Sequence, residues 1–324
     1  MELLLPKIEL YRTRTFSEKL SDTFNFLREN WKPIMKYFLY LMVPASIVLA
    51  FFMNHFWSGY MGIVMNAGGI GTKQEQSELL SFALNAGITL VLFLIASVVL
   101  FAMLFALMRL YRVREQRLQG LTTEEFKAEM TVCLKRSAIL MATGLGIGFV
   151  MLLVLVLVMA LGFSLHPALG VLAMLAFYVV LVVVAMPLML VEPIYMMEDR
   201  TGIVEALRKA WRLGFATWFG IFGVTFVIGL LASVVQTVTM SPWYIMFLVK
   251  TVFTVSNDLD GSFVNSFAYT FFEYLTCILE CLGMLLSMVF TTIGLTIQYG
   301  HASDKIDGTG VAQNIEKFDE LDNF

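Results

Sequence analysis

Long uninterrupted apolar segments dominate the chain. Residues 139–162 and 168–191 contain no charged side chain. A bilayer core of roughly 30 Å takes about 20 helical residues, so each of these two segments is long enough to cross one. Four further segments have the same character. The pattern predicts an all-α, polytopic membrane helix bundle with transmembrane helices at about 33–53, 84–108, 139–163, 169–191, 216–238 and 281–299.

An amphipathic segment precedes the first, third and fifth of these spans. Upstream of the first span, Phe16, Leu20, Phe24, Leu27 and Trp31 recur at steps of three and four and form one apolar stripe. Segments of this kind lie in the headgroup plane, with their basic residues near anionic lipid. The sequence therefore predicts three interfacial helices, with simple packing against the bundle as the open alternative.

Helix-start signals support these three segments. Thr15 and Glu18, like Thr122 and Glu125, have the spacing of a capping box, in which each side chain satisfies the other residue's backbone N–H. Thr201 is predicted to cap the third segment. All three helices are therefore expected to begin within a few residues of these positions.

Lysine and arginine are segregated along the chain. Of the 22 residues of these two types, all but Lys73 and Lys250 lie before or at the start of the first span, in the loops after spans two and four, or after span six. Basic residues are enriched in cytoplasmic loops, so both termini are predicted to face the cytoplasm. The predicted organisation is one membrane domain, 1–299, followed by an acidic cytoplasmic tail, 300–324.

Composition and motifs argue against catalysis. Charged residues make up 15% of the chain, whereas soluble domains carry about 25%. Cys133, Cys277 and Cys281 offer no disulfide framework and are expected to be buried. No phosphate-binding loop, zinc-protease motif or serine-hydrolase motif is present. We therefore predict a protein without enzymatic activity, cofactor, metal or nucleic-acid partner.

The predicted outer side is less regular. The apolar segment 242–255 is interpreted as an external interfacial helix or a re-entrant piece, followed by an acidic turn at 257–261. A helix is expected to start near Val264 and to continue into span six. His55, His166, Asp258 and Asp260 lie on this side, but their spacing matches no metal-binding motif.

Three carboxylates are candidate functional groups. Glu192 ends span four, and an ionisable residue at membrane depth is a functional candidate by default. The alternative for Glu192 is a structural salt bridge to Arg208 or Arg212. Glu273 and Glu280 are seven residues apart and therefore share a helix face near the outer boundary.

Two further sets of residues carry predictions. Gly144 and Gly148 form a small-residue motif that favours close helix packing. The candidate contacts for anionic lipid or a protein partner are Arg208, Lys209, Arg212, Arg112, Arg114 and Arg117.

The segment Val191–Leu213, VEPIYMMEDRTGIVEALRKAWRL, resembles a signature of bacterial six-helix membrane proteins related to the glycerophosphoryl diester phosphodiesterase membrane domain. The matching residues are Pro193, Glu198, Gly202, Ala206, Leu207, Ala210 and Trp211, and 299–308 (YGHASDKIDG) resembles the ending of that group. The resemblance implies a multi-pass module of the bacterial inner membrane. The catalytic barrel that some relatives carry is absent from the sequence, so phosphodiester hydrolysis is not implied.

These observations favour a non-catalytic membrane module that organises lipid or partner proteins through its basic helices and acidic tail. The alternative is a transporter or flippase-like protein for a lipid or another amphipathic substrate, in which Glu192, Glu273 or Glu280 contributes.

Overall fold

The computed structural model describes residues 7–65, 73–255, 261–312 and 315. Within these ranges the chain forms eight α-helices and no β-strand. The helices are α1 (Phe16–Met65), α2 (Lys73–Val113), α3 (Thr123–Leu165), α4 (Pro167–Leu188), α5 (Val191–Met197), α6 (Ile203–Ala216), α7 (Trp218–Val255) and α8 (Phe267–Asp307).

Six helical segments are long and apolar enough to cross a membrane, as predicted. They are Phe16–Ile63, Leu79–Val113, Thr123–Leu165, Pro167–Met197, Trp218–Thr254 and Phe267–Asp307. The all-α fold class is therefore confirmed, and the chain has the character of a multi-pass membrane protein.

The first two amphipathic segments are continuous with the spans that follow them. In α1 the two parts meet at a kink, where Asn30 leaves helical geometry (φ −111°, ψ 17°). The Asn30 side-chain amide donates to the Phe26 carbonyl oxygen at 2.9 Å. Side-chain bonds of this kind compete with the backbone ladder, which accounts for the local break.

All three helices begin where they are predicted to, and two of the three predicted capping residues are confirmed. Glu18 Oε2 accepts from Thr15 N at 2.7 Å, and the Thr122–Glu125 pair forms a complete capping box at the start of α3. The prediction for Thr201 is wrong. The N-cap of α6 is Gly202, and the Thr201 hydroxyl instead donates to Glu198 Oε2 at 2.7 Å.

The α3–α4 hairpin turns at His166, whose ring nitrogen accepts from the N–H of Ala168 at 3.2 Å. Gly162 and Gly170 let the two helices approach closely, because a Cβ on Gly162 would meet the Gly170 backbone at 2.8 Å. The predicted glycine motif acts differently. A Cβ at Gly144 or Gly148 would have no neighbour within 4 Å. These two glycines therefore do not bring α3 against another described helix, and that prediction is wrong.

The chain folds into two compact units. The first comprises Met1–Pro33, Phe101–Ile228 and Thr291–Phe324, and the second comprises Ile34–Leu100 and Gly229–Phe290. Lys36, Lys73 and Lys250 are the only lysines or arginines in the sequence ranges of the second unit, so basic residues are concentrated in the first. The predicted division at residue 299 stays a prediction, although α8 itself continues to Asp307.

The second unit is built around a small apolar core. Leu49, Ala50, Trp243, Cys277 and Cys281 are its most buried members. All three cysteines of the chain are free and buried, as predicted. Residues 242–255 are neither a separate interfacial helix nor a re-entrant piece, because α7 continues through Pro242 to Val255. The predicted acidic turn lies outside the described residues except for its last position.

Candidate functional site

Arg109, near the end of α2, holds together three parts of the first unit. Its guanidinium donates to Glu129 of α3 and to Asp199 in the turn before α6. A third bond reaches the Met196 carbonyl oxygen at 3.0 Å. Only 10% of the Arg109 side chain is exposed. An arginine this enclosed requires such partners, because an unpaired buried charge is strongly destabilising.

Arg136 of α3 holds the same turn from another side. It donates to the carbonyl oxygens of Glu198 at 2.6 Å and Asp199 at 3.0 Å, and also bonds those of Tyr195 and Thr201. Its guanidinium carbon lies 4.5 Å from the centre of the Tyr195 ring. The guanidinium group of arginine is planar and carries five N–H donors, which suits bonds to several carbonyl oxygens at once. The ammonium group of lysine offers only three donors from one nitrogen.

Glu198 is the carboxylate at the centre of this network. It accepts from Lys209 Nζ at 2.5 Å, from the Thr201 hydroxyl at 2.7 Å and from the Tyr299 hydroxyl. Burial by itself would raise the pKa of Glu198, but the hydrogen bonds from Lys209, Tyr299 and Thr201 outweigh it and lower the pKa. Glu198 is therefore ionised at neutral pH and joins α6 to α8.

Arg212 makes a second connection between α6 and α8. Its two terminal nitrogens donate to the two carboxylate oxygens of Asp307 at 2.6 and 3.0 Å. This two-point bond raises the pKa of Arg212. Lys209 Nζ lies 3.9 Å from Asp307 as well, so Lys209 and Arg212 are both held by carboxylates of the chain itself.

Most of the six predicted contact residues are already engaged. Arg112 donates to the Met197 carbonyl oxygen at 3.2 Å, Arg114 pairs with Glu125 at 2.6 Å and Arg117 pairs with Glu29 at 3.0 Å. Lys209 and Arg212 are held as described above. Arg208 is exposed and has no partner among the described residues.

A second group of cations remains exposed on α1, α3 and α6 of the first unit. We call the following residues the free cations, since each is exposed and its charged group has no hydrogen-bond or ion-pair partner within the described ranges: Arg28 and Lys32 of α1, Lys127 and Lys135 of α3, and Arg208 of α6. Of these, the contacts predicted from the sequence include Arg208 alone. Exposure of the other four depends on which faces the helices turn toward one another.

Glu192 lies on α5 and makes no salt bridge with a described residue. Its Oε1 is enclosed and has no hydrogen-bond partner among the described residues. Arg212 is bonded to Asp307 instead, and no bond from Arg208 to Glu192 forms. The predicted structural salt bridge is therefore wrong.

Glu192 lines a cleft of about 320 Å³ within the first unit. Its walls are mainly apolar side chains from α2, α3, α4, α6 and α8. The lining residues are Phe101, Ser137, Leu140, Met141, Thr143, Gly144, Ile147, Leu188, Met189, Val191, Glu192, Leu207 and Leu295. We call this space the Glu192 cleft.

The other two candidate carboxylates belong to the second unit. Glu273 is 6% exposed and accepts two bonds from Lys250 Nζ, at 2.8 and 2.9 Å. The pair lines a cleft of about 390 Å³ together with His55 and Tyr274. Glu280 lines neither cleft, and its Oε2 is buried without a partner among the described residues.

Metal-binding residues do not assemble within the described chain. No group of three or more histidines, cysteines, aspartates or glutamates there is placed to hold a metal ion. His166 caps α4. Asp258 and Asp260 lie outside the described residues.

Sequence reasoning missed the residues that organise the ionic network. In the sequence, Arg109 and Arg136 contribute only to the charge asymmetry, and Tyr299 only to a resemblance. A charged residue directly after or before a long apolar segment is a usable signal, because it must find partners close to the membrane. The sequence contains that signal but does not identify the partners.

Comparison with protein-family models, with curated proteins and with solved structures gives no match to this chain. The resemblance to the phosphodiesterase membrane domain therefore stays a prediction that rests on the residues quoted for it.

Proposed function

We propose that this protein is a non-catalytic membrane module that binds anionic lipid headgroups through the free cations. The observation that carries this proposal is the division of the basic residues into two sets. Arg109, Arg136, Lys209 and Arg212 are used internally. The free cations have no internal role and lie on three amphipathic helices of one unit.

The contributions of the individual cations to lipid binding add together. Each lysine or arginine near an anionic surface contributes about 1 kcal/mol at ordinary ionic strength. Five such residues are sufficient for a clear preference for anionic over zwitterionic lipid. We further propose, from the resemblance and the charge asymmetry, that the host membrane is a bacterial inner membrane and that both termini are cytoplasmic.

The test replaces all five free cations by glutamine. The protein is reconstituted into nanodiscs of equal phosphatidylglycerol and phosphatidylcholine, and the retained lipids are counted by native mass spectrometry. We expect the wild type to retain an excess of phosphatidylglycerol that the variant loses. The matched control exchanges arginine and lysine at the same five positions and keeps the excess.

An unchanged lipid preference in the glutamine variant would contradict the proposal. Extraction with surrounding native membrane adds a second readout. A protein that co-purifies in stoichiometric amount with the wild type, but is lost from the glutamine variant, would show that these cations bind a partner protein rather than lipid.

A second function, passage of a lipid or another amphipathic substrate, is favoured by one specific observation. Glu192 and Glu280 each hold an enclosed oxygen without a partner among the described residues. Ionisable residues enclosed among apolar helices of membrane proteins mark pathways in transporters. The test is flux of a labelled lipid in liposomes, which Glu192→Gln or Glu280→Gln should reduce. Glu205→Gln, at an exposed position of α6, is the control and should leave flux unchanged.

A further inference from the structure

One carboxyl oxygen in the Glu192 cleft has no hydrogen-bond donor among the described residues. Thr143 also lines the cleft, but its hydroxyl donates to the Ile139 carbonyl oxygen at 2.9 Å. Glu192 Oε1 accepts nothing from the described residues. An enclosed carboxyl oxygen without a donor carries a desolvation penalty of about 1–3 kcal/mol, and more if it is charged. A ligand that brings a donor into the cleft removes this penalty.

The residues that line the cleft indicate that the ligand also has an apolar part. Apart from Ser137, Thr143 and Glu192, every side chain lining the cleft is apolar. The most apolar stretch of α3 has 0% of its residues buried within the protein, so this helix presents its surface to lipid. A molecule that reaches Glu192 along α3 therefore needs a hydrocarbon part.

Gly144 keeps one wall of the cleft open. It lines the cleft, and a Cβ at this position would have no neighbour within 4 Å. The volume of about 320 Å³ is at the lower end of the range for ligand sites. This space suits a small headgroup and the first part of one acyl chain, rather than a whole phospholipid.

We propose that the Glu192 cleft binds a membrane lipid whose headgroup carries a protonated primary amine. The ammonium group donates to the Glu192 carboxylate, and an acyl chain lies along α3 beside Gly144. The last side-chain torsion of glutamate, χ3, has a broad range, so the carboxyl group can rotate to direct an oxygen toward the ligand. The occupant is selected by charge complementarity, because the cleft lining contains a carboxyl group and no lysine or arginine.

This chemistry separates three common headgroups. A primary ammonium offers both positive charge and N–H donors, and such charge-assisted bonds are about twice as strong as neutral ones. A trimethylammonium has the charge but no N–H donor. A glycerol headgroup has hydroxyl donors, but its lipid carries an uncompensated phosphate that the Glu192 carboxylate repels. We therefore expect phosphatidylethanolamine to bind better than phosphatidylcholine or phosphatidylglycerol.

The test measures equilibrium binding and does not depend on transport or on the free cations. Purified protein in detergent is titrated separately with phosphatidylethanolamine, its N,N,N-trimethyl derivative phosphatidylcholine, and phosphatidylglycerol, and bound lipid is counted by native mass spectrometry. We expect the wild type to bind phosphatidylethanolamine about tenfold more tightly than phosphatidylcholine. Equal binding of these two lipids by the wild type would overturn the proposal.

Two variants address the site, each with a matched control. Glu192→Gln removes the charge and should reduce phosphatidylethanolamine binding about tenfold, while Glu205→Gln should not. Gly144→Leu adds a side chain to the cleft at a position where a Cβ meets no neighbour within 4 Å, and Gly148→Leu adds the same group at an equally open position outside the cleft. Loss of binding in Gly144→Leu but not in Gly148→Leu supports the proposal.

The variants also protect against a folding artefact. If Glu192→Gln fails to fold, the glycine pair decides the question, since a Cβ at either glycine meets no neighbour within 4 Å. Equal binding by Gly144→Leu and Gly148→Leu would overturn the cleft as the site. Loss of the phosphatidylglycerol preference in the free-cation variant, with phosphatidylethanolamine binding intact, would show that the two lipid interactions are separate.

Discussion

Two glutamates six residues apart experience opposite environments. Glu198 has three donors from Lys209, Thr201 and Tyr299, whereas an oxygen of Glu192 has none among the described residues. A buried carboxylate with several donors is a structural group, and one without donors is available to a ligand. The functional candidate is therefore the unsatisfied residue, not the one with the most contacts.

Because the pKa of Glu198 is low in the folded protein, the free energy of unfolding depends on pH in the acid range. The folded pKa lies below the ordinary value of 4.5, so the unfolded chain binds the proton more readily in this range. Stability from Glu198 is fully present above about 4.5 and is lost as pH falls through the lower folded pKa. We expect Glu198→Gln to flatten this acid dependence, measured as the free energy of unfolding in mixed micelles from neutral to acidic pH. An equally steep acid loss in the variant would assign the effect to other carboxylates.

Arg109 should be the most sensitive position of the ionic network. Removing Arg109 deprives Glu129 and Asp199 of their cation. In the structure the Glu129 side chain is 25% exposed and the Asp199 side chain is 59% exposed. Breaking a fully buried pair costs about 3–5 kcal/mol, and the exposure of Asp199 reduces this, so we expect Arg109→Ala to cost about 2 kcal/mol. The measurement is equilibrium unfolding in mixed micelles. Arg208→Ala, at an exposed position without a described partner, is the control and should unfold like the wild type.

At the scale of elements, glycine positions separate packed from open helix surface. Gly214 of α6 lies directly against the Pro187 backbone at the end of α4. Gly146 of α3 lies in open space. The same residue type therefore permits a close approach in α6 and only weakens helix formation in α3.

Substitution by alanine should have opposite effects at these two glycines. Gly214→Ala forces α6 away from Pro187, and we expect it to lower the midpoint of thermal unfolding. Gly146→Ala meets no neighbour and gains helix propensity of about 0.5–1 kcal/mol, so we expect an unchanged or higher midpoint. Thermal unfolding of both variants in the same detergent checks the pair. A midpoint lowered equally in both would contradict the close contact at Gly214.

At the scale of the whole molecule, the charge asymmetry predicts a single orientation in the membrane. The native cysteines are buried, so introduced cysteines can report accessibility. Glu124 at the start of α3 and Phe263 before α8 are both exposed. We expect a membrane-impermeant thiol reagent to label Phe263→Cys in intact cells and Glu124→Cys only after the membrane is opened. Labelling of Glu124→Cys in intact cells would reverse the predicted orientation.

Local features of this protein could be read from the sequence. Six apolar helices and the capping residues Thr15 and Thr122 each depend on neighbours within a few turns of helix. Continuous apolar runs and cap spacings report such local preferences directly. The predictions that failed at Gly144 and at the Glu192 salt bridge concerned which surfaces meet. Those at Thr201 and 242–255 concerned where a helix is capped and how far it continues.

Pairing across the chain was decided by the tertiary structure. Arg109 bonds the Met196 carbonyl 87 residues away, and Arg212 bonds Asp307 at a separation of 95. One sequence does not identify which distant carboxylates will enclose a given cation. That pairing depends on how each helix is rotated against its neighbours. The same rotations leave Arg208 and Glu192 without partners among the described residues, whereas the other candidates Arg212 and Glu273 are paired within the chain.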